Sequence, residues 1–127
     1  MKKNILNIAI ATFFIMQSLA ANAQNAHHSD INIIDFTVVM NQNKVKINWA
    51  TDKANSTNYF EVEKSNDGKN FKTVAYVLGA DPAKKDCDCY GCFDKVSGPA
   101  KKSYYRLKHV DNSGFVEFSE VKMLALK

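Results

Sequence analysis

Tyr59-Phe60-Glu61-Val62-Glu63-Lys64-Ser65-Asn66-Asp67-Gly68 sets Phe60 and Val62 in alternation with Tyr59, Glu61 and Glu63, then breaks at Asn-Asp-Gly. A period of two puts one set of side chains on each face of a strand, whereas a helix written this way would have no apolar stripe. Asparagine, aspartate and glycine tolerate the positive φ of tight hairpins, so Asn66-Asp67-Gly68 predicts a turn into a following strand, Phe71 to Leu78.

The same alternation continues outward in both directions. Ile34, Phe36, Val38 and Met40 alternate with Asp35, Thr37 and Val39, and Val45, Ile47 and Trp49 alternate with Lys44, Lys46 and Asn48. Toward the C-terminus, Tyr104 to Val110 and Phe115 to Leu124 flank Asp111-Asn112-Ser113-Gly114, a second hairpin signal. With Gly91 to Val96 as a short strand and Gly98-Pro99 closing the loop before Tyr104, seven strands follow one another at the spacing of a β-sandwich. The expected fold is all-β, a seven-stranded antiparallel sandwich of immunoglobulin-like or fibronectin type III-like kind. Its core is expected to hold Trp49, Phe60, Val62, Tyr105 and Leu107. Tyr104 or Tyr105 is expected to bond its hydroxyl back to the preceding loop.

Upstream of the strands, Lys2 and Lys3 precede an apolar run from Ile5 to Met16, and small residues end in Ala21-Asn22-Ala23. This is the layout of a cleavable secretory signal over residues 1–23. The run falls short of the about 20 apolar residues a membrane span needs, so no transmembrane segment is expected after cleavage. Residues 24–30 read as a polar tail containing His27 and His28, too few ligands for a fixed metal site, and residues 31–127 as the sandwich domain. The expected localisation is export: periplasm, cell surface or secretion.

Seventeen Lys and Arg face thirteen Asp and Glu. Loss of Lys2 and Lys3 with the signal lowers the formal charge from +4 to +2. The lysines are scattered rather than striped, so nucleic acid is not an expected partner.

Two stretches resemble a known module. Asn58 to Phe71 and Tyr104 to Phe115 resemble the fibronectin type III-like module of exported Bacteroidota proteins, in which "W-x-T", "F-x-V-E-[RK]-S-x-D-G" and "YYRLK-x-x-D" recur in this order. Trp49, Thr51, Phe60, Val62, Glu63, Ser65, Asp67, Gly68, Tyr104, Tyr105, Arg106, Leu107, Lys108 and Asp111 fit those patterns. The resemblance runs from about Val45 to Val121 and implies a non-catalytic accessory sandwich, of the kind placed before the C-terminal sorting domain of type IX secretion cargo. The chain departs from the pattern in ending at Lys127, before any such domain. It also carries Ala54 and Ser56 where the family has a glutamate and an asparagine, and it adds a cysteine loop. Glu63 and Arg106, alternating away from the core, are expected to pair across an exposed strand face for well under about 1 kcal/mol.

The cysteine loop, Asp86-Cys87-Asp88-Cys89-Tyr90-Gly91-Cys92, holds every cysteine of the chain. Export exposes thiols to oxidation, so a disulfide is the first expectation. On an extended strand, residues two apart are separated by roughly 6.6 Å, which disfavours Cys87 with Cys89 and makes Cys92 the better partner for either. The odd count leaves three outcomes open: an intraloop disulfide with a spare thiol, a disulfide-linked oligomer, or zinc or another soft metal held by Cys87, Cys89 and Cys92. Cys89-Tyr90-Gly91-Cys92 has redox spacing, but no helix follows to lower a thiolate pKa.

No other motif carries chemistry. Asn55-Ser56-Thr57 matches a glycosylation acceptor by pattern alone. His109 has no serine or cysteine at nucleophile spacing, and Asp81, Asp86, Asp88 and Asp94 read as solvated loop acids. The expectation is therefore a non-enzymatic module that binds protein or surface glycan or acts as a spacer, without cofactor. The alternative is a metal-binding or thiol-reactive protein centred on the cysteines.

Overall fold

The computed structural model describes residues 31–52, 56–96, 98 and 101–126. The expected signal peptide and tail, with His27 and His28, lie outside them, as do Ala54, Asn55 and Pro99. Alternating apolar and polar side chains form β1 (Ile33–Asn41), β2 (Lys44–Thr51), β3 (Thr57–Ser65), β4 (Lys72–Val77), β5 (Asp88–Lys95), β6 (Lys102–Asp111), β7 (Val116–Phe118) and β8 (Lys122–Ala125). Among the described residues these make two antiparallel sheets, one ordered β1-β2-β5 and the other β4-β3-β6-β7, with β8 also on β6.

The two sheets close on a shared core. Val45, Ile47, Trp49 and Tyr90 from the first sheet meet Phe60, Val62, Tyr105 and Leu107 from the second, and all are buried. Trp49 stacks on Tyr90 at 5.6 Å between ring centroids, and Phe60 meets both rings edge-on at 5.3 and 4.9 Å. Such aromatic pairs contribute about 0.5–1.5 kcal/mol each beyond the area they bury. His109 completes the cluster, fully buried with its ring 5.0 Å from Phe60 and its Nε2 3.1 Å from Thr57 Oγ1.

In β1 and in the expected last strand the structure departs from the sequence reading. In β1 the pairing steps from Ile34↔Ala50 to Thr37↔Asn48, so one extra residue is inserted, and Asp35 sits at φ 54°. Such a bulge shifts which side chains face inward: Ile33 packs against the core, while Ile34, expected inside, is 46% exposed. The expected seventh strand is two pieces, β7 and β8, giving eight strands among the described residues where seven were expected. At the break, Leu107 N donates to Ser119 Oγ at 2.8 Å and Ser119 N donates to Leu107 O at 2.9 Å.

Both predicted hairpins form. Gly68 takes φ 77° next to the Tyr104 ring, while Asp67 Oδ1 accepts from the backbone N–H groups of Lys69 and Asn70 and from Ser65 Oγ. Asp111 does the same for Ser113 and Phe115 in the second hairpin.

Candidate binding surface

Two outer faces and one interior polar group carry the chemistry of the domain. On the outer face of the three-stranded sheet, Lys44, Lys46 and Asn48 of β2 stand beside Gly91 and Phe93 of β5, because their neighbours Val45, Ile47, Tyr90 and Cys92 point inward. Phe93 is 57% exposed, with Lys44 Nζ 6.0 Å from its ring centroid. A side chain at Gly91 would place its Cβ 3.0 Å from Asn48 Oδ1, so glycine lets the Asn48 amide lie against the strand. Two open depressions of about 470 and 480 Å³ share Phe93: one runs toward Asp81, Pro82 and Lys84, the other toward Asn41, Gln42 and Asn43. The turn at the second holds Gln42 at φ 55°, a left-handed conformation costly for a side-chain-bearing residue.

The outer face of the second sheet is held by charge against ring. Arg106 of β6 sits between Phe71 and Phe118, its guanidinium 4.1 and 4.3 Å from the two ring centroids, while its Nε donates to Glu63 Oε2 at 2.6 Å. The pair expected to be exposed is therefore stacked and largely covered, with 29% of the Arg106 side chain and 11% of the Glu63 side chain accessible. One register step along, Lys108 Nζ lies 3.0 Å from Glu61 Oε1, and Thr73 Oγ1 donates to Glu61 Oε2 at 2.7 Å. Burial acts to raise the Glu61 pKa, but the bonds from Thr73 and Lys108 and the lysine's charge outweigh it and hold it low. The bond to Glu61 in turn raises Lys108. Tyr76, 65% exposed, pairs with Tyr59 at 6.2 Å.

Between the sheets, Tyr105 donates its hydroxyl to Asp94 Oδ2 at 2.8 Å. Lys64 Nζ meets the same oxygen at 3.0 Å. The tyrosine thus bonds across to β5 of the opposite sheet, not to the loop preceding its own strand, and Asp94 is an inter-sheet anchor rather than a solvated loop acid. Burial first, and then the hydrogen bond and charge of Asp94, push the Tyr105 phenol well above its ordinary range. Cys92, part-buried on the same inner face, is pushed up to about 11 by burial and then by Asp94.

The cysteines form the expected intraloop disulfide with a spare thiol, but the favoured partner is corrected. Cys87 is disulfide-bonded to Cys89, with Cα atoms 5.2 Å apart, and Cys92 is the free thiol. The spacing argument assumed an extended chain, but Cys87 precedes β5 in a turn that brings the two α-carbons within bridging distance. Cys92 lies further along β5, packed against the core. The three cysteines are not brought to one point, and among the described residues no group of three or more His, Cys, Asp or Glu side chains is placed to hold a metal ion.

Sequence reasoning missed the Arg106 stack and the Asp94 anchor, because both join residues distant in the chain. It also passed over Phe93, whose parity along β5 is opposite to that of the inward Tyr90 and Cys92. Trp49, Phe60, Val62, Tyr105 and Leu107 all lie at 2% exposure or less. No helix among the described residues is long and apolar enough to cross a membrane.

No protein-family model matches the chain and no curated protein matches it. Solved structures do share its fold. A pectate lyase from Pectobacterium carotovorum aligns with 76% of this chain and 27% of its own at 16% identity and a TM-score of 0.56. A pectate lyase from Erwinia chrysanthemi, in complex with tetragalacturonic acid, aligns over 75% and 28% at 11% identity and 0.53. A β-1,2-glucanase from Parabacteroides distasonis aligns over 77% and 13% at 20% identity and 0.56. The chain spans about a quarter of the lyases' length and still less of the glucanase.

Proposed function

We propose that this chain is an exported, non-enzymatic binding module of fibronectin type III-like architecture that attaches to a protein or glycan of the cell envelope. The observation that carries the reading is the placement of the exposed aromatics. Phe93, Tyr76 and Phe118 are each more than half exposed on the outer faces of a frame whose interior is already filled. Aromatic residues are enriched at recognition surfaces. The motif residues of the Bacteroidota resemblance support a structural rather than catalytic role. Ser65, Asp67 and Gly68 build a turn, Glu63 and Arg106 pin a sheet face, and Tyr105 joins the sheets.

The solved structures that share the fold are named for polysaccharide lysis or hydrolysis, and this chain corresponds to a minor share of each. That proportion suits a module accompanying a catalytic domain, and fold alone does not transfer the chemistry. The expected outcome of affinity capture from native envelope, run alongside a glycan array, is at least one reproducible ligand for the chain beginning at Gln24. The reading fails if the folded chain captures nothing in both formats.

A further inference from the structure

The outer face of the three-stranded sheet has three properties that together specify a ligand class. It carries one exposed ring, Phe93, 57% accessible, with Lys44 Nζ 6.0 Å from its centroid. It is basic: among the described residues lining the two depressions, Lys44, Lys46 and Lys84 face a single carboxylate, Asp81, whose Oδ1 already accepts from Ala83 N at 3.0 Å. Around the ring it also offers uncharged amides, Asn43 on one side and Asn48 on the other, the latter laid flat by Gly91.

We propose that this face binds an acidic polysaccharide, one sugar stacking on Phe93 while its carboxylates meet Lys44 and Lys46 and its hydroxyls pair with the amides of Asn43 and Asn48. The ligand class follows from the chemistry. An aromatic face receives the apolar side of a pyranose, an ammonium is a flexible partner for a carboxylate, and an amide supplies both donor and acceptor to a hydroxyl. The depressions are open rather than enclosing, so a polymer lying across the sheet fits better than a small molecule that must be surrounded. The proposal rests on the binding-module reading and adds the ligand and the place.

The test uses the chain from Gln24 with polygalacturonate, its fully methyl-esterified form, polyglutamate and single-stranded DNA of matched charge, followed by calorimetry and affinity electrophoresis. Binding to polygalacturonate is expected, weakening with salt, and lost when the carboxylates are esterified. Phe93→Ala is expected to weaken it about tenfold through loss of the stack. The double variant Lys44→Gln/Lys46→Gln is expected to weaken it and flatten its salt dependence. All three positions are solvent-facing, so indole fluorescence and thermal midpoint serve to confirm that the variants remain folded. Equal affinity for the esterified polymer, no effect of Phe93→Ala, or equal binding to polyglutamate or DNA would each overturn the proposal, the last by reducing it to unspecific charge. If polygalacturonate is not bound while envelope capture still succeeds, this site falls and the binding-module reading stands.

Discussion

Tyr105→Phe removes one hydroxyl from a fully buried ring and with it the bond to Asp94 Oδ2 at 2.8 Å. A hydrogen bond to a charged acceptor contributes about 1.5–3 kcal/mol. Asp94 keeps Lys64 at 3.0 Å and is not left unpaired, so the cost belongs near the lower half of that range, about 2 kcal/mol. For a domain of this size that corresponds to a fall in thermal midpoint of about 8–16 °C. Urea denaturation of wild type, Tyr105→Phe, Asp94→Asn and the double variant at neutral pH measures it, with a coupling energy above about 1 kcal/mol expected from the cycle. The variant also changes the alkaline limb. Folding holds the phenol's proton, so its contribution is complete below the ordinary tyrosine pKa of about 10 and is lost as pH rises toward the higher folded value. Wild type should therefore lose stability above pH ~10 more steeply than Tyr105→Phe. A loss below about 0.5 kcal/mol, or strictly additive single effects, would refute the reasoning that this hydroxyl joins the two sheets.

Arg106→Lys keeps the charge but gives up the planar stack between Phe71 and Phe118 and the Nε bond to Glu63; a loss of about 1–2 kcal/mol is expected by urea denaturation, well beyond an exposed ion pair. At pH 8 the Cys92 thiol, pushed from 9.0 to about 11, should carry about a hundredfold less thiolate than an ordinary cysteine, so native protein should resist iodoacetamide. Intact mass should show one label after unfolding and three only after reduction. The bonds from Asn70 and Lys69 hold Asp67 well below the usual carboxylate range, so its contribution is present above the ordinary aspartate pKa and lost as pH falls through and below it. The midpoint difference between wild type and Asp67→Asn should accordingly shrink on acidification.

Local rules read the centre of the fold well. The alternation in β2, β3 and β6 assigns Val45, Ile47, Trp49, Phe60, Val62, Tyr105 and Leu107 to one interior, and Asp67-Gly68 marks its turn by chemistry contained within a few residues. Reading failed wherever a distant partner decides the outcome. Ile33 and Ile34 are equally apolar, and only the bulge opposite Trp49 chooses between them. Arg106 looks like a surface charge until the chain returns Phe118 to its far side. The cysteine pairing turned on a bend just ahead of β5, for which spacing along an extended chain was the wrong ruler. Phe93 was visible by parity, but its basic surroundings come from a second strand and a loop.

The interruption at Ser119 limits what this margin of the sheet can pair with. A sheet margin carrying Phe118 and Met123, both more than half exposed, would in one unbroken strand offer a long apolar template to any neighbouring chain. Because the margin is cut into pieces of three and four residues, with the serine splinting the gap onto Leu107, no neighbour finds enough consecutive backbone to zip against. That margin can therefore hold its apolar side chains in the open without presenting one continuous strand edge.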